Sequence, residues 1–358
     1  MKIHLPCILA LFLSSATFAQ ETTASSPPFE AHFGPTANAA LWKNAVKTVK
    51  ELLRTKRSGS PTSINNDVYA DSLLDLITDE LVFQGEAVWL DVSLGSKFKD
   101  PMRRKEQVFK RLQSEESIDR SKQFLEQYCY QLADGYKACG VPPEYVSGIA
   151  NIETFFGSFD NVRKFPVLAT LVTWVALQNE ALRNDVAKNI LAAIKADRTN
   201  KVIEGASRMT ASFWTTRMER RANTSLVQLR DYLNLAETLA WDHEKLLRLE
   251  GSWVGAFTDF QFMPRTFRYT MLESENPDPE KPEQIVPLVA RYLGRSWGDG
   301  SPAQVRKAVG SYNSPHWYID HVDTVAQRVR AYSIELLAER EAEQKAKTNS
   351  SPVEAGKE

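Results

Sequence analysis

Apolar residues recur at three- and four-residue intervals over most of this chain, and strict alternation is scarce. That period sets one side of a helix against a core, so the pattern predicts an all-α fold. A first helix is expected over residues 39–56, where Trp42, Val46, Val49, Leu52 and Leu53 share a face, and a second over 67–81. The turn-rich stretch 57–66 separates them. Residues 82–104 are less regular and predict a short extended piece around Ala87, Val88, Trp89 and Leu90. Further helices are expected over 106–112, 118–138, 143–157, 167–196, 224–249, 264–272, 284–293, 302–312 and 319–339. The charged, polar residues 341–358 read as a disordered tail, and no solenoid period is present.

With 358 residues and 43% apolar composition, the chain can bury one large core or two moderate ones. Its 44 basic residues against 45 acidic ones leave no global field to attract nucleic acid or an anionic membrane. Met1 and Lys2, the apolar run from Ile8 to Leu13 and the small-residue end Thr17-Phe18-Ala19 predict a secretory signal over 1–19 rather than a membrane span. A flexible leader, 20–37, follows, and the protein is expected to be exported, periplasmic and soluble. Cys7 falls within the signal, leaving Cys129 and Cys139. On one unbroken helix, ten positions at about 1.5 Å rise put them near 15 Å apart, beyond the roughly 7 Å reach of a disulfide. Two free thiols are expected, unless Gly135 breaks that helix.

The candidate chemistry centres on Glu153. At about 100° per residue, Tyr145, Val146, Ile149, Ile152 and Phe156 form one stripe on the helix that starts at Pro142-Pro143, and Glu153 falls inside it. A carboxyl there is desolvated, which raises its pKa and keeps it protonated near neutral pH. The alternative is a core-edge glutamate paired with an arginine or capping a helix. Other chemistries find no support: phosphate-binding loop, dinucleotide glycine pattern and nucleophile elbow are missing. His316, Asp320 and His321 read as surface groups rather than a metal cluster. No cofactor is expected.

Three motifs in order carry a resemblance. They are Gly140-Val141-Pro142-Pro143-Glu144 with Ile152-Glu153-Thr154-Phe155-Phe156-Gly157; Gly251-Ser252-Trp253-Val254-Gly255-Ala256 leading into Gln261-Phe262-Met263-Pro264; and Ser311-Tyr312-Asn313-Ser314 with Tyr318. Over about residues 106–328 the chain resembles the lytic murein transglycosylase B family. The resemblance implies a lysozyme-like helical catalytic domain over 106–340 with a helical N-terminal region, 38–105. It implies cleavage of the β-1,4 bond between N-acetylmuramic acid and N-acetylglucosamine in peptidoglycan glycan strands, with a 1,6-anhydro product. Glu153 would be the single general acid and base. Ser252 would orient it or the substrate's acetamido group, Gln261 would bind sugar, and Tyr292, Tyr312, Asn313 and Tyr318 would line the glycan groove. The alternatives are a silent glycan-binding homologue and a plain hydrolase.

The chain also departs from the family. Gly255-Ala256-Phe257-Thr258 stands where Gly-Ala-Met-Gly is usual, and loss of a glycine at Thr258 is expected to alter the turn. Arg265 replaces a small hydroxyl residue. Residues 273–280 lack the calcium-loop pattern and contain two prolines, so no metal site is expected. The interval from Glu153 to Ser252 is long, with an insertion over about 197–232. That insertion reads by default as a solvated helix, and otherwise as a lid or a docking site for a cell-wall machinery partner.

Overall fold

The computed structural model describes residues 39–54, 71–88, 110–158, 164–196, 210–272 and 275–350. The expected signal and leader lie outside the described residues. The fold is all-α, as the periodicity predicts. Among the described residues the only strands are Phe165–Pro166 and Glu250–Gly251, paired antiparallel with Phe165 opposite Gly251. Residues 85–88 are a helical turn rather than an extended piece, and 89–90 lie outside the described residues.

Two compact units divide the chain. Among the described residues, the first joins 110–158 to 277–350, and the second joins 39–54 and 71–88 to 164–196, 210–272 and 275–276. The expected N-terminal region 38–105 is therefore not a domain by itself and the expected domain 106–340 is divided, because the N-terminal helix is part of the second unit's core. Helix Ala39–Arg54 buries Trp42, Ala45, Val46, Val49 and Leu53 and packs on helices Val167–Ala176 and Glu180–Ala196. The Arg230 guanidinium donates to the Leu52 carbonyl at 2.6 Å, satisfying an end of the helix that has spare acceptors.

At the centre of the first unit is helix Pro143–Thr154, with a proline at its first position, where the missing N–H costs nothing. Every residue of it except Tyr145 is buried. The expected single apolar stripe is therefore an understatement: the helix is enclosed by Glu115–Gln127, Cys129–Cys139, Pro282–Trp297 and His316–Ser350. Helix His316–Ser350 crosses close at Gly148, where a Cβ would lie 3.0 Å from the Val322 carbonyl oxygen.

Some boundaries differ from the periodicity. The expected helix 118–138 divides at Tyr128, whose φ of −111° and ψ of 22° leave the helical region. Gly135 is not the break; it is where helix Pro282–Trp297 approaches, and a Cβ there would meet that of Ala290 at 2.8 Å. Both thiols are free, at the two ends of helix Cys129–Cys139. The expected helix 167–196 is interrupted at 177–179. There the Asn179 side chain accepts from the Leu182 N–H at 3.1 Å, and Arg183 donates to the carbonyls of Leu177 and Gln178.

The last helix reaches Ser350, which corrects the expectation that 341–350 are disordered. Glu, Ala, Gln and Lys there are strong helix formers that extend a helix already anchored by packing. Helix Ala211–Thr238 includes the described part of the insertion. It buries Trp214, Met218, Ala222 and Ser225 and packs on Val167–Ala176, so it belongs to the core rather than to a solvated appendage.

Candidate active site

Glu153 is the penultimate residue of its helix and is 2% exposed. The chain leaves the helix at once: Phe155, Phe156 and Gly157 all take positive φ, at 51°, 58° and 75°. Left-handed backbone is costly for the two phenylalanines, and their surroundings hold it. Phe155 is buried, with the guanidinium groups of Arg111 and Arg120 at 5.5 and 4.7 Å from its ring centroid. Arg120 also donates to Ser158 Oγ at 2.6 Å.

The Tyr318 hydroxyl donates to Glu153 Oε1 at 2.8 Å, and Oε2 has no hydrogen-bond partner among the described residues. Burial pushes the Glu153 carboxyl up to about 8, against which the Tyr318 hydrogen bond pulls downward. The position adds to this, since partial negative charge gathers at a helix C-terminus. The phenol has its own proton fixed, because burial and the charge of Glu153 hold Tyr318 well above the usual tyrosine range. With Tyr318 donating to Oε1, the acid proton of Glu153 belongs on Oε2.

Glu144, on the first turn of the same helix, makes the contrast. It too is buried and shifted upward by desolvation, but Ser333 Oγ donates to it at 3.0 Å and Arg330 lies 3.9 Å away. Its carboxylate is partnered, whereas that of Glu153 is poised.

The third motif joins Glu153 in the same unit. Tyr312 is half-buried, and its ring stands edge-on to that of Tyr292, with centroids 5.2 Å apart. The Tyr292 hydroxyl donates to the Ser311 carbonyl at 2.6 Å. Burial and then the charge of Glu153 raise Tyr312 well above the ordinary phenol range. Asn313 is buried at the end of helix Pro302–Tyr312, and its Nδ2 has no hydrogen-bond partner among the described residues. Thus Glu153, Tyr312 and Tyr318 are electrostatically coupled, with Tyr292 and Asn313 attached through Tyr312.

Ser252 and Gln261 belong to the second unit, on a tight loop that the glycines make possible. A Cβ on Gly251 would overlap the Ala256 carbonyl, and Gly255, at φ 82°, would bring one to 2.7 Å from Leu171. Ser252 is buried and closes this loop. Its Oγ accepts from the Ala256 N–H at 3.1 Å across the loop. Gln261 is 2% exposed and takes φ 52°; its Nε2 donates to the Thr258 carbonyl at 3.0 Å, while Oε1 has no hydrogen-bond partner among the described residues. Thr258 adopts φ 68°, so the turn expected to change on losing a glycine is taken by threonine instead. Its Oγ1 accepts from the Phe260 N–H at 3.2 Å, offsetting part of the strain. Phe257 is fully buried against Tyr232 and Phe267, which makes it core.

The sequence reading missed His321, which is 1% exposed rather than on the surface. Its Nε2 lies 3.1 Å from Asn151 Oδ1, two residues before Glu153. Among the described residues no group of three or more His, Cys, Asp or Glu side chains is placed to hold a metal. No helix among them is long and apolar enough to cross a membrane.

The sequence family sets the class, and the all-α fold agrees with it: the protein is a peptidoglycan lytic transglycosylase. The family model described as Transglycosylase SLT domain matches residues 93–354, and the chain belongs to that family. Its fold is similar to the Escherichia coli lytic transglycosylase Slt35, solved in complex with calcium, at TM-score 0.54 and 15% identity, covering 82% of this chain and 94% of that one. It is likewise similar to the soluble lytic transglycosylase SltB1 of Pseudomonas aeruginosa, at TM-score 0.56 and 18% identity, covering 81% and 99%. A third match is SltB3 of Pseudomonas aeruginosa, in complex with NAG-anhNAM-pentapeptide, at TM-score 0.51 and 15% identity, covering 80% and 78%. No curated protein matches the sequence.

Proposed function

We propose that this enzyme cleaves the β-1,4 bond between N-acetylmuramic acid and N-acetylglucosamine with Glu153 as its single general acid and base, and releases a 1,6-anhydromuramyl end. The observation that carries the reading is a carboxyl held protonated to about pH 8 by burial, with Oε1 engaged by Tyr318 and Oε2 unpartnered. An acid whose pKa lies near the working pH is both charged with its proton and able to release it.

Glu153 Oε2–H protonates the glycosidic oxygen as its bond to C1 of the muramic acid breaks. The substrate's acetamido oxygen covers C1 in place of a second enzyme carboxylate, unlike glycosidases that supply two. The 6-hydroxyl then attacks C1, the O6–C1 bond forms, and the O6 proton passes to the Glu153 carboxylate, restoring the acid. Tyr318 stabilises that carboxylate while it lasts, by a charge-assisted hydrogen bond. Tyr292, Tyr312 and Asn313 supply a ring face and amide donors suited to sugar, and Ser252 and Gln261 are assigned to the acetamido group and the glycan by their motif. The anhydro ligand named for SltB3 agrees with such a product. Residues 1–19 fit export to the periplasm, where this substrate lies.

Digestion of purified sacculi by the mature protein and by Glu153→Gln, followed by mass spectrometry of the muropeptides, tests the reading. Anhydro ends from the wild type alone are expected. Reducing ends, or equal activity of the variant, would sink it.

A further inference from the structure

Behind Glu153 runs a buried chain of hydrogen bonds with one self-consistent set of directions. The Leu112 carbonyl can only accept, so the Ser117 hydroxyl, 2.6 Å away, donates to it. Ser117 Oγ then accepts from Asn151 Nδ2 at 2.6 Å, which turns Oδ1 of Asn151 toward His321. An amide oxygen can only accept, so His321 carries its proton on Nε2. Its Nδ1 is left as acceptor, with Gln113 Nε2 at 3.4 Å. The ring is neutral, since burial lowers its pKa to about 3. Ser117, Asn151 and His321 are each 1% exposed or less.

This chain touches the acid's own helix at a telling register. Tyr318 and His321 are three residues apart on helix His316–Ser350, hence on one face. Tyr318 grips Glu153 while His321 grips Asn151, two residues earlier on helix Pro143–Thr154. The two helices are also joined farther along by Tyr145 to Asp323 and by Ser333 to Glu144. The His321–Asn151 contact is the one next to Tyr318–Glu153, where it fixes the local register at which the acid is gripped. Dispersion packing alone sets register less sharply than paired buried polar groups, which cost free energy when separated.

We propose that His321 is a positioning residue: through Asn151 it holds the acid's helix in the register that keeps the Tyr318 hydroxyl on Glu153 Oε1. The proposal rests on the reading of Glu153 as the acid. It adds a group that never meets the glycan and acts by keeping the proton of Glu153 on Oε2. The titratable groups coupled to Glu153 are Tyr318 and Tyr312, both held protonated, so a loss of register is read in Glu153 itself.

The test is a double-mutant cycle on sacculus digestion with His321→Leu, Tyr318→Phe and the combined variant. His321→Leu is expected to lower kcat about tenfold to a hundredfold, as misplacement of a catalytic group does, with KM within about twofold. Its alkaline limb should move upward, because the lost hydrogen bond favoured the carboxylate. In the Tyr318→Phe background the same substitution should cost little more, since its effect passes through Tyr318. His321→Gln places an amide donor where Nε2 was, and His321→Asn where Nδ1 was. Glutamine is expected to keep most of kcat and asparagine to lose it, a comparison that stands even if His321→Leu does not fold. A folded His321→Leu enzyme with unchanged kcat and alkaline limb, a full effect persisting without the Tyr318 hydroxyl, or equal glutamine and asparagine variants would overturn the proposal. An active Glu153→Gln enzyme would overturn the reading of the acid instead.

Discussion

Replacing Glu153 by glutamine should make the protein progressively more stable than wild type as pH rises. The carboxyl titrates near 4.5 when unhindered and at about 8 in the folded protein, chiefly because it is desolvated. Between those values the folded chain holds a proton that the unfolded chain has released, so wild-type stability is full below 4.5 and is lost as pH rises toward 8. At about 1.4 kcal/mol per unit, and with roughly two and a half units of that linkage falling between pH 5 and pH 8, the wild type should lose about 3 to 4 kcal/mol relative to the variant. Glutamine still accepts from Tyr318 but cannot ionise. Any cost of burying its amide hydrogens is independent of pH and shifts the whole curve. The slope of the difference, rather than its sign at one pH, is therefore the measurement. Urea unfolding of both proteins at pH 5, 6, 7 and 8 supplies it. Parallel stability curves would refute the claim that burial holds this carboxyl protonated.

Three further outcomes are expected. Tyr318→Phe removes a hydrogen bond that favours the Glu153 carboxylate, so the alkaline limb of the pH–rate profile should move up by about one unit, the difference between a charged and a neutral hydrogen bond. A profile moved downward would contradict it. Gly255→Ala must seat a methyl 2.7 Å from Leu171 at φ 82°, which should cost about 2 to 4 kcal/mol by overpacking and left-handed strain, read as a lowered thermal midpoint. Titration of the native protein with a thiol reagent should modify the half-buried Cys139 slowly and Cys129 only on unfolding; fewer than two thiols in denaturant would show a bridge.

The helices were legible because their period is imposed by burial. Residues 302–312 match the expected bounds residue for residue. One misplaced boundary came from a break made by side chains rather than by glycine or proline. Asn179 and Arg183 close off the turn after Ala176 through contacts a pattern of apolar residues does not record. Gly135 misled in the opposite sense, its missing side chain serving a helix crossing. The division into two units was illegible because helix Ala39–Arg54 joins its core through segments far along the chain. His321 was illegible for the same reason, its partners Asn151 and Gln113 being 170 and 208 residues away in sequence. Glu153 was found by a stripe that is only part of its enclosure.

The two buried carboxyls of helix Pro143–Thr154 show what separates an acid from a structural carboxylate. Burial raises both, yet Glu144 sits where the helix N-terminus favours negative charge and has Ser333 and Arg330 beside it. Glu153 sits at the unfavourable end, and its shift is set by burial against a single neutral donor. Arginines are close by, but Arg111 and Arg120 lie against the Phe155 ring, and Arg120 also pairs with Glu116 at 3.2 Å. A guanidinium on Glu153 itself would have favoured the carboxylate and removed the proton the reaction needs. The left-handed turn at Phe155 thus does two things at once: it ends the helix immediately after the acid and turns an aromatic face to the cations. The four helices that enclose helix Pro143–Thr154 take Glu153 out of water and hold it on packed secondary structure rather than on a loop.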